Sequence, residues 1–313
     1  MGKLYIGTAS WTDKTLIESG RFYPKGGSTA EARLRFYADH FDTVEVDSSY
    51  YAIPAERNAV LWAKRTPEGF IFNIKAYSML TGHPTLIKGI PRILAAELPP
   101  KLSKQQQARE FPIEIVEAAF DMFVHTLRPL QDAGKLGCIL FQFPPWFLPS
   151  RKSFDWLKLV REKTRDIMVA VEFRHQRWIE PPDKEKAIHF LKEHGMAFVA
   201  VDGPWIHGWA GPGALTSDVA YIRLHGRNRK SWFARGVRTV EKYRYRYPDK
   251  ELLPWAARAE NVAQRAQQTF VLFNNCYADY GVKNAAIFKE MIHANSNSVQ
   301  SQGQKTTCDK DCS

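Results

Sequence analysis

Val169-Ala170-Val171-Glu172-Phe173-Arg174-His175 is a short apolar run, rich in β-branched residues, that turns polar at its end. A run of this length and composition predicts a buried β-strand. Seven more runs of the same kind occur along the chain, and a helical pattern follows most of them. The eight predicted strands are Lys3–Thr8, Thr43–Val46, Phe70–Lys75, Leu136–Phe143, Ile167–Phe173, Ala197–Asp202, Val219–His225 and Thr269–Asn274.

Strands that alternate with helices predict a parallel sheet covered by helices, and eight such units predict a closed barrel. The fold class is therefore α/β, as a single (β/α)8 TIM-type barrel. The alternative is an open doubly wound sheet, whose first turn is usually rich in glycine. The first turn here, residues 7–12, lacks that pattern, which favours the barrel. The predicted helices are Ala30–His40, Ala55–Arg65, Pro112–Ala133, Phe154–Lys163, Asp183–His194, Pro254–Gln268 and Val282–His293.

Two connections are unusually long, residues 76–111 after the third strand and residues 226–252 after the seventh. In a barrel both begin at the carboxyl ends of the strands, where sites are built. No domain boundary is visible, so residues 1–293 are predicted to form one domain. Residues 294–313 are rich in Ser, Gln, Asn and Thr, and this composition predicts a disordered tail.

The composition is that of a globular protein with an excess of positive charge. Of the 313 residues 44% are hydrophobic and 25% are charged, and the net charge is +11. No apolar run is long enough to span a membrane, and the N-terminus does not resemble a signal peptide, so we expect a cytoplasmic protein. A basic surface attracts anions in general. Nucleic acids, nucleotides, sugar phosphates and acidic proteins remain possible partners, and the oligomeric state is not predicted.

Polar residues cluster at the predicted strand ends. Because strand side chains alternate between two faces, Glu172 and Arg174 share a face, and so do Arg223 and His225. Ionised groups that face into a barrel cost several kcal/mol unless they are paired. The polar ring consists of Glu45, Lys75, Gln142, Glu172, Arg174, Asp202, Arg223, His225, Asn274 and Asn275. The ring forms either a ligand site or a set of ion pairs that caps the barrel core.

Nine short motifs occur in a fixed order between about residues 3 and 292. They are Gly7-Thr8-Ala9-Ser10-Trp11, Phe22-Tyr23-Pro24, Thr43-Val44-Glu45-Val46, Ser49-Tyr50-Tyr51 with Pro54, Phe72 with Lys75, Phe141-Gln142-Phe143-Pro144-Pro145, Glu172-Phe173-Arg174-His175 with Trp178, Arg223-Leu224-His225-Gly226 and Phe273-Asn274-Asn275. Together they resemble the YecE-like family (domain of unknown function 72). The resemblance implies a TIM-type barrel and supplies no established reaction. Asp47 stands where the family more often has Asn, and we expect it to lie outside the ring.

Several kinds of chemistry are possible at the ring. A metal site could use Glu45, Glu172, Asp202, His225 and His83, but the neighbouring lysine and arginines would repel a cation, so we expect neither a metal nor another cofactor. Two carboxylates could cleave a glycosidic bond, although a carboxylate beside arginine makes a poor general acid. Schiff-base chemistry would need a neutral Lys75, which nearby cations favour and nearby carboxylates oppose.

The remaining interpretation is an anion site, because arginine and lysine side chains bind phosphate and carboxylate groups. It predicts an enzyme acting on a phosphate-bearing substrate, a nucleotide or a nucleic acid, most plausibly by hydrolysis. The predicted catalytic residues are Glu172, Asp202, His225 and Glu45. The predicted substrate-binding residues are Lys75, Gln142, Arg174, Arg223, Asn274, Asn275, Trp11 and Tyr50.

The segment after the seventh predicted strand offers a second hypothesis. Residues 226–250 contain nine basic and two acidic residues, so +7 of the net charge of +11 lies there. Five aromatic residues are interleaved with the basic ones. This composition suits a non-catalytic protein that binds single-stranded nucleic acid. The alternative is a solvated loop whose aromatic side chains pack on the barrel rim.

Overall fold

The computed structural model describes residues 2–25, 29–204 and 215–308, with side chains described as far as Ala294. Within these residues eight parallel strands close into a barrel in the order β1-β10-β9-β8-β7-β6-β3-β2, and β4 and β5 form a separate antiparallel pair. The strands are β1 (Lys3–Ala9), β2 (Thr43–Val46), β3 (Ile71–Lys75), β4 (Thr85–Leu86), β5 (Gln107–Ala108), β6 (Leu136–Gln142), β7 (Met168–Glu172), β8 (Ala197–Asp202), β9 (Val219–Leu224) and β10 (Gln268–Phe273).

The predicted (β/α)8 barrel is confirmed, and each predicted strand agrees with a barrel strand to within one residue at either end. The predicted long connections are confirmed as well. The connection after β3 contains the β4–β5 pair and two short helices, and the connection after β9 contains two more. Both connections begin at the carboxyl ends of the strands, on the same side of the barrel.

Helices cover the outside of the barrel. In the described residues they are α1 (Lys14–Ser19), α2 (Ala30–His40), α3 (Glu56–Lys64), α4 (Arg92–Ala96), α5 (Pro100–Ser103), α6 (Ile113–Thr126), α7 (Arg128–Asp132), α8 (Arg151–Lys163), α9 (Asp183–Glu193), α10 (Arg229–Trp232), α11 (Thr239–Lys242), α12 (Asp249–Ala263) and α13 (Tyr280–Cys308). Short 3-10 turns lie at Ser48–Tyr50, Ser78–Thr81, Ile87–Gly89 and Gln176–Trp178. No helix within the described ranges is both long and apolar enough to cross a membrane.

Four helix predictions differ from the structure by more than one residue, and two of these are extensions: α8 begins at Arg151, and α13 extends beyond both ends of the predicted Val282–His293. The predicted Pro112–Ala133 helix is divided into α6 and α7 at Leu127. The predicted Pro254–Gln268 helix is wrong in its bounds, because α12 begins at Asp249 and contains Pro254. Proline lacks an N–H and is therefore usual in the first turn of a helix, but Pro254 lies in the second turn of α12. The backbone of α13 continues through residues for which composition predicts disorder, and both that tail and the domain boundary at residue 293 stay predictions.

Apolar side chains fill the inside of the barrel up to the carboxyl ends of the strands. They come from all but one of the eight strands and form one buried cluster: Tyr5, Ile71, Cys138, Leu140, Ala170, Ala197, Val199, Val201, Val219, Tyr221, Phe270 and Leu272. A larger core lies between the strands and the helices. The interior is thus a packed core and not a channel, as in other barrels of this class. The polar layer lies above it, at the strand ends.

Strand register places polar residues of neighbouring strands side by side. Gln142 of β6 is aligned with Glu172 of β7, and Glu45 of β2 is aligned with Asn73 of β3. Asn73 lies at an irregularity of the β3–β6 ladder. Its side-chain Oδ1 accepts a hydrogen bond of 2.9 Å from the backbone N–H of Cys138 and so satisfies a buried donor there.

Candidate functional site

A buried arginine lies at the centre of the polar layer. Arg223 of β9 donates from Nη1 to Glu172 Oε2 at 2.5 Å and from Nη2 to Glu45 Oε1 at 2.6 Å. Nη1 also lies 3.2 Å from Gln142 Oε1. All three charged side chains are fully buried. Charges can be buried in this way when they are paired and hydrogen-bonded, so one guanidinium holds together side chains from four strands.

A second arginine, Arg174, lies on the outer side of the Arg223–Glu172 ion pair. Arg174 follows β7, forms an ion pair with Glu172 and donates from Nη2 to Gln142 Oε1 at 2.9 Å. Burial by itself would raise the pKa of Glu172, but Arg174 and Arg223 outweigh burial and hold that pKa well below its usual value. Glu172 therefore stays ionised at neutral pH and orients both guanidinium groups. It is a poor candidate for a general acid.

His225 follows β9 and is fully buried beside the same carboxylate. Its Nδ1 lies 2.8 Å from the amide nitrogen of Asn274, and its Nε2 lies 3.4 Å from Glu172 Oε1. Because the Asn274 amide donates to Nδ1, the ring proton is on Nε2 and faces Glu172. Burial, followed by the charge of Arg174, holds the pKa of His225 well below its usual value. The imidazole is thus neutral.

Sequence analysis did not identify Tyr221 as part of the polar layer. Its hydroxyl donates to Glu45 Oε2 at 2.9 Å, while Arg223 occupies the other oxygen of that carboxylate. Burial, reinforced by the Glu45 charge, raises the pKa of Tyr221 well above its usual value, so the phenol stays protonated. A signal was present, because Tyr221 lies two residues before Arg223 on the same strand and therefore shares its face.

Asp202 does not join the polar layer. The β8–β9 register aligns Val201 with Arg223 and Asp202 with Leu224, so Asp202 lies on the outward face. There both of its carboxylate oxygens accept hydrogen bonds from Arg227 Nε, at 2.9 and 3.1 Å. Asp202 therefore anchors the connection after β9 instead of facing a ligand at the barrel mouth.

Trp11 and Asn275 also lie away from the predicted pocket. The Trp11 ring packs edge-on against Trp62 and Phe72, with centroid distances of 5.8 and 6.3 Å, in the core outside the barrel. The Asn275 amide is buried and donates to Asn284 Oδ1 at 2.9 Å on helix α13. Both follow strand ends, but neither side chain turns toward the barrel axis. Their contacts indicate structural roles.

Lys75 lies at the upper edge of the polar layer, at the end of β3, and is half-buried. Its Nζ lies 4.6 Å from the centre of the Tyr50 ring. Within the described part of the chain, Nζ makes no ion pair and no hydrogen bond. Burial, aided by the charge of Arg223, lowers the pKa of Lys75 from 10.5 to about 8. Lys75 is therefore a cation at the mouth that lacks the carboxylate partners of the two arginines.

His83, which the sequence offered only as a metal ligand, lies beside Lys75 and Tyr50. Its ring centre is 5.3 Å from that of Tyr50, and its Nδ1 is 2.8 Å from Thr81 Oγ1. The Thr81 hydroxyl donates to the carbonyl of Ser78, so it must accept from Nδ1. This leaves the lone pair of His83 on Nε2. Burial, with the charges of Lys75 and Arg174, lowers the pKa of His83 to about 4.

Comparison with known proteins identifies the family. The family model described as "Protein of unknown function DUF72" matches residues 5–308. The chain belongs to the DUF72 family. This confirms the resemblance that the nine motifs indicate.

Individual relatives agree with this DUF72 assignment. The chain is 34% identical over 279 residues to the UPF0759 protein YunF of Bacillus subtilis, covering 87% of this chain and 88% of that protein. A DUF72 family protein from Thermotoga maritima is 30% identical, with a TM-score of 0.72 over 93% of this chain and 99% of the other. A DUF72 family protein from Enterococcus faecalis, at 24% identity and a TM-score of 0.74 over 93% of this chain and 95% of the other, supports the fold.

Asp47 lies next to the ring of this DUF72 protein. The sequence places Asp47 outside the ring, and the structure places it half-buried just beyond β2, near Lys75 and Glu45. Burial raises the pKa of Asp47, the Lys75 charge opposes this rise and the Glu45 charge adds to it. Asp47 and Lys75 therefore influence each other's pKa.

We expect loss of the central arginine to destabilise the fold strongly. Arg223→Met leaves Glu45 and Glu172 buried without their shared cation, which should reduce the free energy of unfolding by about 3–5 kcal/mol. Arg35→Met removes an exposed pair with Glu31 and should leave the free energy of unfolding nearly unchanged. Urea unfolding of both variants measures the difference. Similar losses in the two variants would contradict the role assigned to Arg223.

The lowered pKa of His83 predicts a pH dependence of stability. Between pH 6.5 and about pH 4 the unfolded chain binds a proton at this histidine that the folded chain rejects. The free energy of unfolding should therefore fall as the pH falls through this window, by about 1 kcal/mol per pH unit from this residue. In His83→Gln the free energy of unfolding should fall less steeply across this window. Above pH 7 its dependence on pH should be the same as in the wild type. Parallel stability profiles throughout would refute the assignment.

Proposed function

We propose that this DUF72 protein is an enzyme that binds a phosphate-bearing substrate at the barrel mouth, with the phosphate received by Lys75 and Arg174. The observation that supports the proposal is that the cations of the site differ in their ion-pair partners. Arg223 forms ion pairs with Glu45 and Glu172 through its two terminal nitrogens, whereas Lys75 has no ion-pair partner in the described residues. A bound anion would supply the missing negative charge.

The surroundings of Lys75 fit an anion. Arg174 is held toward the mouth by Glu172 and Gln142, so its position is fixed before a ligand arrives. Burial and the neighbouring arginine make a protonated Lys75 less stable, and an anion would reverse this by raising its pKa. Binding of phosphate and protonation of Lys75 are therefore coupled.

For a hydrolytic step, His83 is the base that we propose. Its Nε2 carries a lone pair, and Thr81 fixes the ring through Nδ1. Three cations, Lys75, Arg174 and Arg109, contribute to its low pKa. A substrate phosphate would offset these charges and raise the pKa of His83 toward neutrality, where a general base works best. Glu45 and Glu172, predicted as catalytic, are better explained as the carboxylates that hold Arg223.

Other reactions fit less well. Glycoside hydrolysis needs a protonated carboxyl group, and Glu172 is held ionised. Among the residues that the structure describes, no three His, Cys, Asp or Glu side chains converge as metal ligands. These findings leave phosphate binding as the interpretation with most support.

Single-stranded nucleic-acid binding by residues 226–250 is the alternative function. Tyr247 is buried and its hydroxyl accepts from the Gly226 N–H at 2.8 Å, and the Tyr245 hydroxyl donates to Glu251 at 2.8 Å. These aromatic side chains thus pack on the barrel rim and are not presented to bases. Phe233, 62% exposed, remains available for stacking. The contacts favour the rim-packing interpretation of this segment.

We expect Lys75→Met to weaken phosphate binding. Loss of a charge-assisted contact of about 1.5–3 kcal/mol should raise the dissociation constant for ribose 5-phosphate at least tenfold. Lys14→Met, which changes an exposed lysine, should bind as the wild type does. Isothermal calorimetry measures all three proteins. If the wild type binds no phosphate compound, or if both variants bind equally well, the proposal fails.

We expect His83→Gln to reduce turnover and leave binding nearly unchanged. Removing a general base typically costs a factor of about 100 or more in rate. Release of inorganic phosphate from nucleoside phosphates measures the rate, and calorimetry measures the affinity in parallel. A variant with wild-type turnover would exclude His83 as the base, and a parallel loss of affinity would assign it to binding instead.

A further inference from the structure

A cleft that the site described so far does not use opens beside the barrel mouth. It lies between the connection after β3 and the segment after β6, and its volume is about 780 Å³. Such a volume is in the range of pockets that hold small organic ligands. Its walls are mainly aromatic and apolar and include two cations: Arg109, Phe111, Phe147, Trp146, Lys152 and Trp156.

A row of aromatic rings joins Lys75 to this cleft. The Lys75 ammonium lies 4.6 Å from the Tyr50 ring, and the Tyr50 and His83 ring centres are 5.3 Å apart. The ring centre of His83 is in turn 5.9 Å from that of Trp146, which lines the cleft. These contacts connect the surroundings of Lys75 with the wall of the cleft.

Trp146 gives the cleft a surface for stacking. Its side chain is 49% exposed, which is unusual for tryptophan, and the Arg109 guanidinium lies 4.4 Å from its ring centre. Exposed indole rings and stacked arginines are the groups on which bases stack in nucleic-acid and nucleotide sites. Glu110 and Ser150 place polar groups along the same walls, where they can meet the polar edge of a base.

The cleft is held in shape by contacts within the protein. Trp156 donates from Nε1 to the carbonyl of Leu80 at 3.1 Å, and Ser150 caps α8 by accepting from the N–H of Ser153. These hydrogen bonds hold the part of the wall that α8 and the 3-10 turn after β3 contribute. A planar ligand would meet a largely preformed surface, which limits the entropy lost on binding.

We propose that this cleft binds the base of a nucleotide, so that the substrate class of the barrel mouth is a nucleoside monophosphate. The inference rests on the proposed function, because Lys75 and Arg174 receive the phosphate of the same molecule. A sugar phosphate without a base would leave the aromatic cleft unused. An alkyl phosphate would not use the stacked Arg109 and the polar groups around it.

Calorimetry with three probes tests the proposal: adenosine 5′-monophosphate, ribose 5-phosphate and adenosine. For the wild type we expect the nucleotide to bind about tenfold or more tightly than ribose 5-phosphate, because stacking adds to the phosphate contact. In Trp146→Leu this advantage should disappear while binding of ribose 5-phosphate is unchanged. Phe233→Leu, a change at another exposed aromatic residue, should leave the advantage intact.

The possible failures differ from one another. If ribose 5-phosphate and the nucleotide bind the wild type equally, the base subsite is wrong and the phosphate site stands. If adenosine alone binds and neither phosphate compound binds more tightly, the proposed function is wrong. If no probe binds, both are wrong. If Trp146→Leu weakens ribose 5-phosphate as much as the nucleotide, Trp146 supports the fold, and the stacking proposal is overturned.

Discussion

The pairing of Arg223 with two buried carboxylates is the interaction on which the site depends. The guanidinium bonds to Glu45 and Glu172, and the remaining oxygens of these carboxylates bond to Tyr221 and Arg174. Each charge is buried only because its partner is in place. The arrangement therefore keeps Glu172 ionised and the arginines oriented, and it makes Glu172 unsuitable as a general acid.

Above this paired layer the electrostatics are different. Lys75, Tyr50 and His83 lie at the mouth without a carboxylate bonded to any of them in the described residues, and burial with nearby cations lowers the pKa values of Lys75 and His83. The ion-paired layer around Arg223 thus lies beneath an upper layer in which no described carboxylate is bonded to Lys75, Tyr50 or His83. This contrast, and not the number of charged residues, indicates where an anion would bind.

The strands could be predicted to within a residue because parallel strands are buried on both faces and read as uninterrupted apolar runs. The inward pairs Glu172 with Arg174 and Arg223 with His225 followed from alternation along a strand. Asp202 was misassigned because its face depends on the β8–β9 register, which no local pattern reveals. Trp11, Asn275 and His83 lie outside strands, where alternation does not apply and side-chain direction is set by tertiary packing.

The order of the strands along the chain has a consequence for synthesis on the ribosome. Glu45 and Glu172 belong to β2 and β7, whereas Arg223 belongs to β9, which is made later, and closure of the barrel also needs β10 to pair with β1. Until β9 has emerged, Glu45 lacks the cation with which it is buried, and Glu172 has only Arg174 as an ion-pair partner. The ion pairs that bury both glutamates can therefore form only after most of the polypeptide, through β9, has been synthesised.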